Sequence, residues 1–79
     1  MVKVYLLTET YGFTLRDKIH RIYNGKLEWV WTPQEADIIF VDSSMRGQAY
    51  GLYYRKELKG KTIKLISLDH VCGFVPDEK

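Results

Sequence analysis

A single cysteine, Cys72, in 79 residues excludes an internal disulfide and any multi-cysteine metal cluster. Without such staples the chain reads as an intracellular, cytoplasmic protein. Long hydrophobic runs are also missing. None approaches the roughly 20 residues that a membrane helix needs, and the opening stretch MVKVYLLTE reaches Glu9 before a signal-peptide core could form. The reading therefore includes neither membrane nor secretion. Charge of one sign is scarce as well: twelve basic and ten acidic residues leave a formal +2, and the bases read as scattered, which argues against a dedicated nucleic-acid binder. There are no repeats and no low-complexity segments. What is present is 46% hydrophobic and 14% aromatic, enough for one small globular domain over residues 1–79. A chain this short leaves much of its surface wet, so its core is marginal and self-association is the simplest remedy.

Val2 to Leu7 is rich in β-formers and apolar on both faces apart from Lys3, which suits a central strand covered twice. Thr14 and Asp17 are spaced as a capping box. Leu15, Ile19, Ile22 and Tyr23 follow at helical spacing, and Asn24-Gly25 supplies a stop, predicting a helix from about Leu15 to Asn24. Leu27, Trp29 and Trp31 alternate with Glu28 and Val30 as a second strand. Thr32-Pro33-Gln34-Glu35 then predicts one helical turn. The short link to the next strand leaves its direction open; the placing of Pro33 and Glu35 and the lack of a two-residue hairpin signal favour a tight parallel crossover.

Asp37 to Asp42 brackets an apolar run typical of a buried parallel strand. Met45, Ala49, Leu52, Tyr53 and Lys56 predict a second helix stopped by Gly60, and Thr62 to Leu68 a last strand, followed by a tail without periodicity. The alternation implies an α/β fold: a four-stranded, mainly parallel sheet of order 2-1-3-4 between two helices on opposite faces. The fourth strand would then be an apolar edge. Either the tail or a second copy must cover it, and the short, acidic-ended tail favours a homodimer.

In doubly wound sheets ligands bind beyond the carboxyl ends of the strands. The loops to read are therefore Thr8 to Thr14, Asp42 to Gln48 and Asp69 to Phe74. Thr8, Thr10, Gly12 and Thr14 offer hydroxyls and backbone N–H groups to a phosphate at a helix start, although turn and cap duties already explain Gly12 and Thr14. Ser43, Ser44, Arg46 and Gly47 form a second possible anion cradle, set against a helix cap and a solvated arginine. Glu9, Asp42 and Asp69 all follow strands and could hold Mg²⁺, but strand termination and capping account for the aspartates, and no lysine completes a phosphotransfer site. His70 and Cys72 form an isolated pair better read as structural. Trp29, Trp31 and the tyrosines could make a stacking platform, with core and interface packing the stronger reading.

Three segments resemble the flavodoxin family. Thr8-Glu9-Thr10-Tyr11-Gly12-Phe13-Thr14 looks like its threonine-rich phosphate loop with Tyr11 inserted. Asp37 to Asp42 with Ser43 to Gly47 is similar to its third strand and following loop. Leu58-Lys59-Gly60-Lys61-Thr62 through Leu68-Asp69-His70-Val71-Cys72-Gly73-Phe74 resembles its lead into the fourth strand and its second flavin-contacting loop. The resemblance implies a minimal flavodoxin-like three-layer sandwich and an FMN-binding electron-transfer module, with Asp69 and Phe74 near the ring. The reading favoured over that one is a small non-catalytic binding or regulatory protein. It would act through a partner surface, as a homodimer or with another protein, and take a phosphate-bearing small ligand at the C-terminal edge of the sheet.

Overall fold

A computed structural model of the chain describes residues 1–9 and 12–76. Its regular elements are β1 (Val2–Leu7), α1 (Gly12–Ile22), β2 (Leu27–Trp29), β3 (Ile38–Asp42), α2 (Arg46–Tyr53), β4 (Thr62–Ile66) and β5 (Val71–Gly73). Single 3₁₀ turns fall at Pro33–Glu35, Ser43–Met45 and Lys56–Leu58. The strands form one five-stranded sheet of order β2-β1-β3-β4-β5, with the first four parallel and β5 antiparallel to β4.

The two-residue period of a strand divides the core between the two faces. On one face Val4, Leu6, Phe40 and Ile66 pack with Leu15 and Ile19 of α1. On the other Ile39, Val41, Ile63 and Leu65 pack with Ala49 and Leu52 of α2 and with Leu58 and Phe74. The helices thus lie on opposite faces, as right-handed crossovers demand when β1 feeds one side of the sheet and β3 the other. α1 begins at Gly12, three residues before the expected start, so Thr14 lies inside its first turn and is not a cap. Asp17 instead pairs with Arg21 at 3.1 Å, one helical turn on. The helix ends where Asn24 and Gly25 take positive φ angles of 54° and 75° and the Gly25 N–H donates to the His20 carbonyl at 2.8 Å.

Strand β2 is parallel to β1, and the chain returns to β3 through the Pro33–Glu35 turn alone. Thr32 donates its hydroxyl to the Glu35 carboxylate at 2.9 Å across that turn. The Asp37 N–H then donates to the Lys3 carbonyl at 2.8 Å, and the Lys3 N–H to the Asp37 carboxylate at 2.9 Å, which fixes the start of β3 against β1. α2 is shorter than expected, ending at Tyr53 before the Lys56–Leu58 turn.

The four-strand expectation is corrected at the C-terminal end. Ser67 reverses the chain: its N–H and hydroxyl both donate to the His70 carbonyl, while its Oγ accepts from the Asp69 and His70 N–H groups. This side-chain turn delivers Val71–Gly73 as a fifth strand, so β4 is interior and its apolar outer edge is covered within the chain. The edge argument for a dimer through β4 therefore falls. The 67/70 and 63/74 pairs are joined by N–H···O bonds at 2.9 and 3.0 Å, and the alternation of an antiparallel ladder puts the Leu65/Cys72 pair in the same bonded phase. Cys72→Pro should remove that bond and destabilise the chain by about 1–2 kcal/mol. Cys72→Ser, at this exposed position, should stay within ~0.5 kcal/mol of wild type. Urea unfolding of both variants compares them.

Candidate functional site

The ends of β1 and β3 are neighbours at the point where one chain leaves for α1 on one face and the other for α2 on the opposite face. In doubly wound sheets this C-terminal edge is the usual ligand position. Asp42, the last residue of β3, lies at this edge and is 6% exposed. The Thr8 hydroxyl donates to its Oδ2 at 2.9 Å, and Ser44 donates to its Oδ1 twice, from the backbone N–H at 3.0 Å and from the hydroxyl at 2.9 Å. Burial pushes the Asp42 carboxyl up, but the bonds from the Ser44 N–H, the Thr8 hydroxyl and the Ser44 hydroxyl outweigh it and hold the group below the ordinary carboxylate range. Asp42 is thus an ionised, satisfied carboxylate that caps the Ser43–Met45 turn.

Of the predicted anion ligands, Thr8 and Ser44 meet on Asp42, Gly12 lies against Thr8, and Ser43 is exposed beside Asp42 in the turn. A Cβ on Gly12 would lie 3.4 Å from the Thr8 methyl group, so the glycine lets α1 start close against β1. Thr10, with Tyr11, lies outside the described residues. Thr14 is exposed on α1, and Gly47 is exposed as the second residue of α2, not part of a loop cradle.

Arg46 is committed elsewhere. Its Nη1 donates to the Tyr50 hydroxyl at 2.9 Å and its Nη2 to the Val75 carbonyl at 3.4 Å, while the guanidinium lies 5.2 and 5.5 Å from the Tyr50 and Phe74 rings. Asp69 is exposed on the hairpin turn. Phe74 is buried on the α2 face, edge-on to Tyr50 at 5.1 Å, and its N–H donates to Ile63 near the start of β4. It is therefore not at the C-terminal edge where a flavin ring would lie. Among the described residues no three His, Cys, Asp or Glu side chains gather as a metal site, so Glu9, Asp42 and Asp69 do not converge. Among the described residues no helix is long and apolar enough to cross a membrane.

A second arrangement lies on the flank of α1 beside the β2 edge, and the sequence reading does not reach it. The Arg16 guanidinium stands 4.9 Å from the Trp29 ring and 5.7 Å from the Trp31 ring, two cation–π contacts of about 0.5–1 kcal/mol each at such exposed sites. Trp29 is half-buried against the α1-side core, whereas Trp31 is 77% exposed and Phe13 89% exposed. Phe13, Arg16, Asp17, His20 and Trp29 enclose a groove of about 190 Å³. The strand alternation flags Trp29 and Trp31, but their cation comes from a helix thirteen residues away, a tertiary fact with no local signal.

The chain matches no protein-family model, no curated protein and no solved structure.

The Asp42 bonds predict a pH dependence. A carboxyl whose pKa is lower folded than unfolded adds stability that is complete above the unfolded value, about 3.9, and is lost as pH falls through the folded value. Asp42→Asn keeps the size but offers Nδ2 donors where donors already point, so it should cost about 1–3 kcal/mol at pH 7. The difference from wild type should shrink towards pH 2. Urea midpoints at both pH values measure it.

Proposed function

We propose that this chain is a small non-catalytic binding domain that works through a protein–protein surface formed by Phe13, Arg16, Trp29 and Trp31, with a second copy of the chain as its partner. In finer terms we read the fold as flavodoxin-like, on the strength of the parallel order β2-β1-β3-β4. One observation carries the functional reading. Two large apolar side chains, Phe13 and Trp31, are almost wholly in water beside an arginine already aligned by two indole rings. Exposed aromatic patches of this kind mark interaction sites, and Trp and Arg are the residues most enriched where binding energy concentrates. The guanidinium is held by its ring contacts before any partner arrives, so less side-chain entropy is lost on docking.

A second copy is favoured as the occupant for two reasons. The patch borders β2, a three-residue edge strand, and a two-fold axis beside that edge would bury the same aromatics from both chains. A chain this small also gains most from added apolar burial. The sheet edge at Asp42 is a poorer candidate for a phosphate, because an ionised carboxylate ends β3 there and Arg46 is tied to Tyr50 and Val75.

Light scattering after size exclusion should give a mass near twice 9.3 kDa. The pair Phe13→Asp and Trp31→Ser should return it to a monomer, with the far-ultraviolet circular dichroism unchanged because both side chains lie outside the core. A wild type that stays monomeric at several hundred micromolar defeats the reading.

A further inference from the structure

We propose that a separate cleft, between the end of α2 and the start of β4, binds a nucleotide. The cleft holds about 320 Å³, near the lower end of small-molecule pockets and room for one ring with its phosphate. Its floor is apolar, from the buried Leu58 and Ile63. Its wall is aromatic: Tyr54, 68% exposed, meets Tyr53 edge-on at 4.9 Å, so the two rings brace one another at the mouth. Its rim is cationic, with Lys56, Lys59 and Lys61 beside Arg55.

Charge is concentrated here to a degree the overall +2 conceals. Arg55–Lys61 holds four of the twelve bases and one of the ten acids, a local +3 against −1 for all other residues together. The one acid is neutralised in place, since Glu57 accepts from Arg55 at 2.7 and 3.2 Å. Lys61 donates to the Ala36 carbonyl and so anchors the cleft to the start of β3. Lys56 and Lys59 are exposed, and among the described residues the ion pairs are Arg21–Asp17 and Arg55–Glu57 only. Gly60, at φ 89°, makes the turn that leaves Lys59 and Lys61 both lining the cleft.

These three surfaces select a ligand class. A planar ring over an apolar floor takes stacking from tyrosine, and a phosphate at the rim takes charge-assisted bonds from the lysines. Inorganic phosphate would leave the aromatic wall unused, and an uncharged ring would leave the cations unused. The nucleotide is either free or a unit of a single strand, and both sources share this chemistry.

Calorimetric titration of the full chain with AMP, adenosine, inorganic phosphate and decathymidylate tests the proposal. AMP or decathymidylate should bind saturably and at least about tenfold more tightly than adenosine or phosphate, with affinity falling between about 50 and 200 mM salt. Tyr54→Ala and the pair Lys56→Ala with Lys59→Ala should each weaken binding about tenfold. Tyr54→Phe should retain it, and the pair Lys3→Ala with Lys26→Ala, which removes equal charge elsewhere, should leave it unchanged. Binding of AMP assigns the free nucleotide; saturation by decathymidylate alone assigns the strand. No saturable binding of either up to millimolar concentration overturns the proposal, and so does binding indifferent to Tyr54 and to Lys56 with Lys59.

Discussion

The constraint on which much of this structure depends is the length of chain between β2 and β3. Eight residues, 30–37, separate Trp29 from Ile38, fewer than the dozen or more that a parallel crossover with a full helix occupies. The chain passes over β1 with one 3₁₀ turn, so the α2 face of the sheet has a helix at β3 and β4 but only a turn at β1. Tyr5 and Leu7 remain half-buried there, beside an open groove of about 370 Å³ that Pro33 and Leu52 also line. Val30 and Ala36, at the two ends of the crossover, sink into the core where a helix would otherwise have placed its apolar stripe.

Against that thin side, Asp42 fixes the thick centre. β3 is the most deeply buried strand, with Ile39, Phe40 and Val41 almost inaccessible to water, and it ends on a carboxylate that must find partners where solvent is scarce. Thr8, just after β1, and Ser44, from the turn before α2, supply them. One group thereby joins the ends of the two central strands to the start of α2. The strand end where such sheets usually bind ligands is therefore held by a negative charge.

How much could be read in advance follows the range of the interactions. β1, β3 and the Pro33–Glu35 turn are local patterns, and their residues appear where the sequence places them. The opposite-face placement of the helices follows from handedness alone. β5 was hidden because Val71-Cys72-Gly73 is too short for alternation to register, and because its turn is made by the Ser67 side chain where an Asn-Gly pair would have been visible. In the site, Thr8, Ser43 and Ser44 are legible as loop hydroxyls, but that Thr8 bonds Asp42 depends on β1 and β3 lying side by side. Arg46 and Arg16 show the same limit: each contacts rings contributed by another element. The cationic run at Arg55–Lys61 lies open in the sequence, four bases within seven residues, against the reading of the bases as scattered.

The Ser67 turn also bears on the order in which the sheet is assembled. β1 finds β3 across 34 residues, a search that costs loop-closure entropy before any contact offsets it. β4 and β5 close across a four-residue turn, and hairpins of this kind form in roughly 1–10 μs. Although such a hairpin is marginal alone, it samples its paired form far faster than the long-range ladders are built. The outer edge of Ile63, Leu65 and Ile66 is therefore occupied for part of the time before β4 meets β3. A segment that would otherwise pair with any passing strand thus carries its own protection through the slow stage of folding.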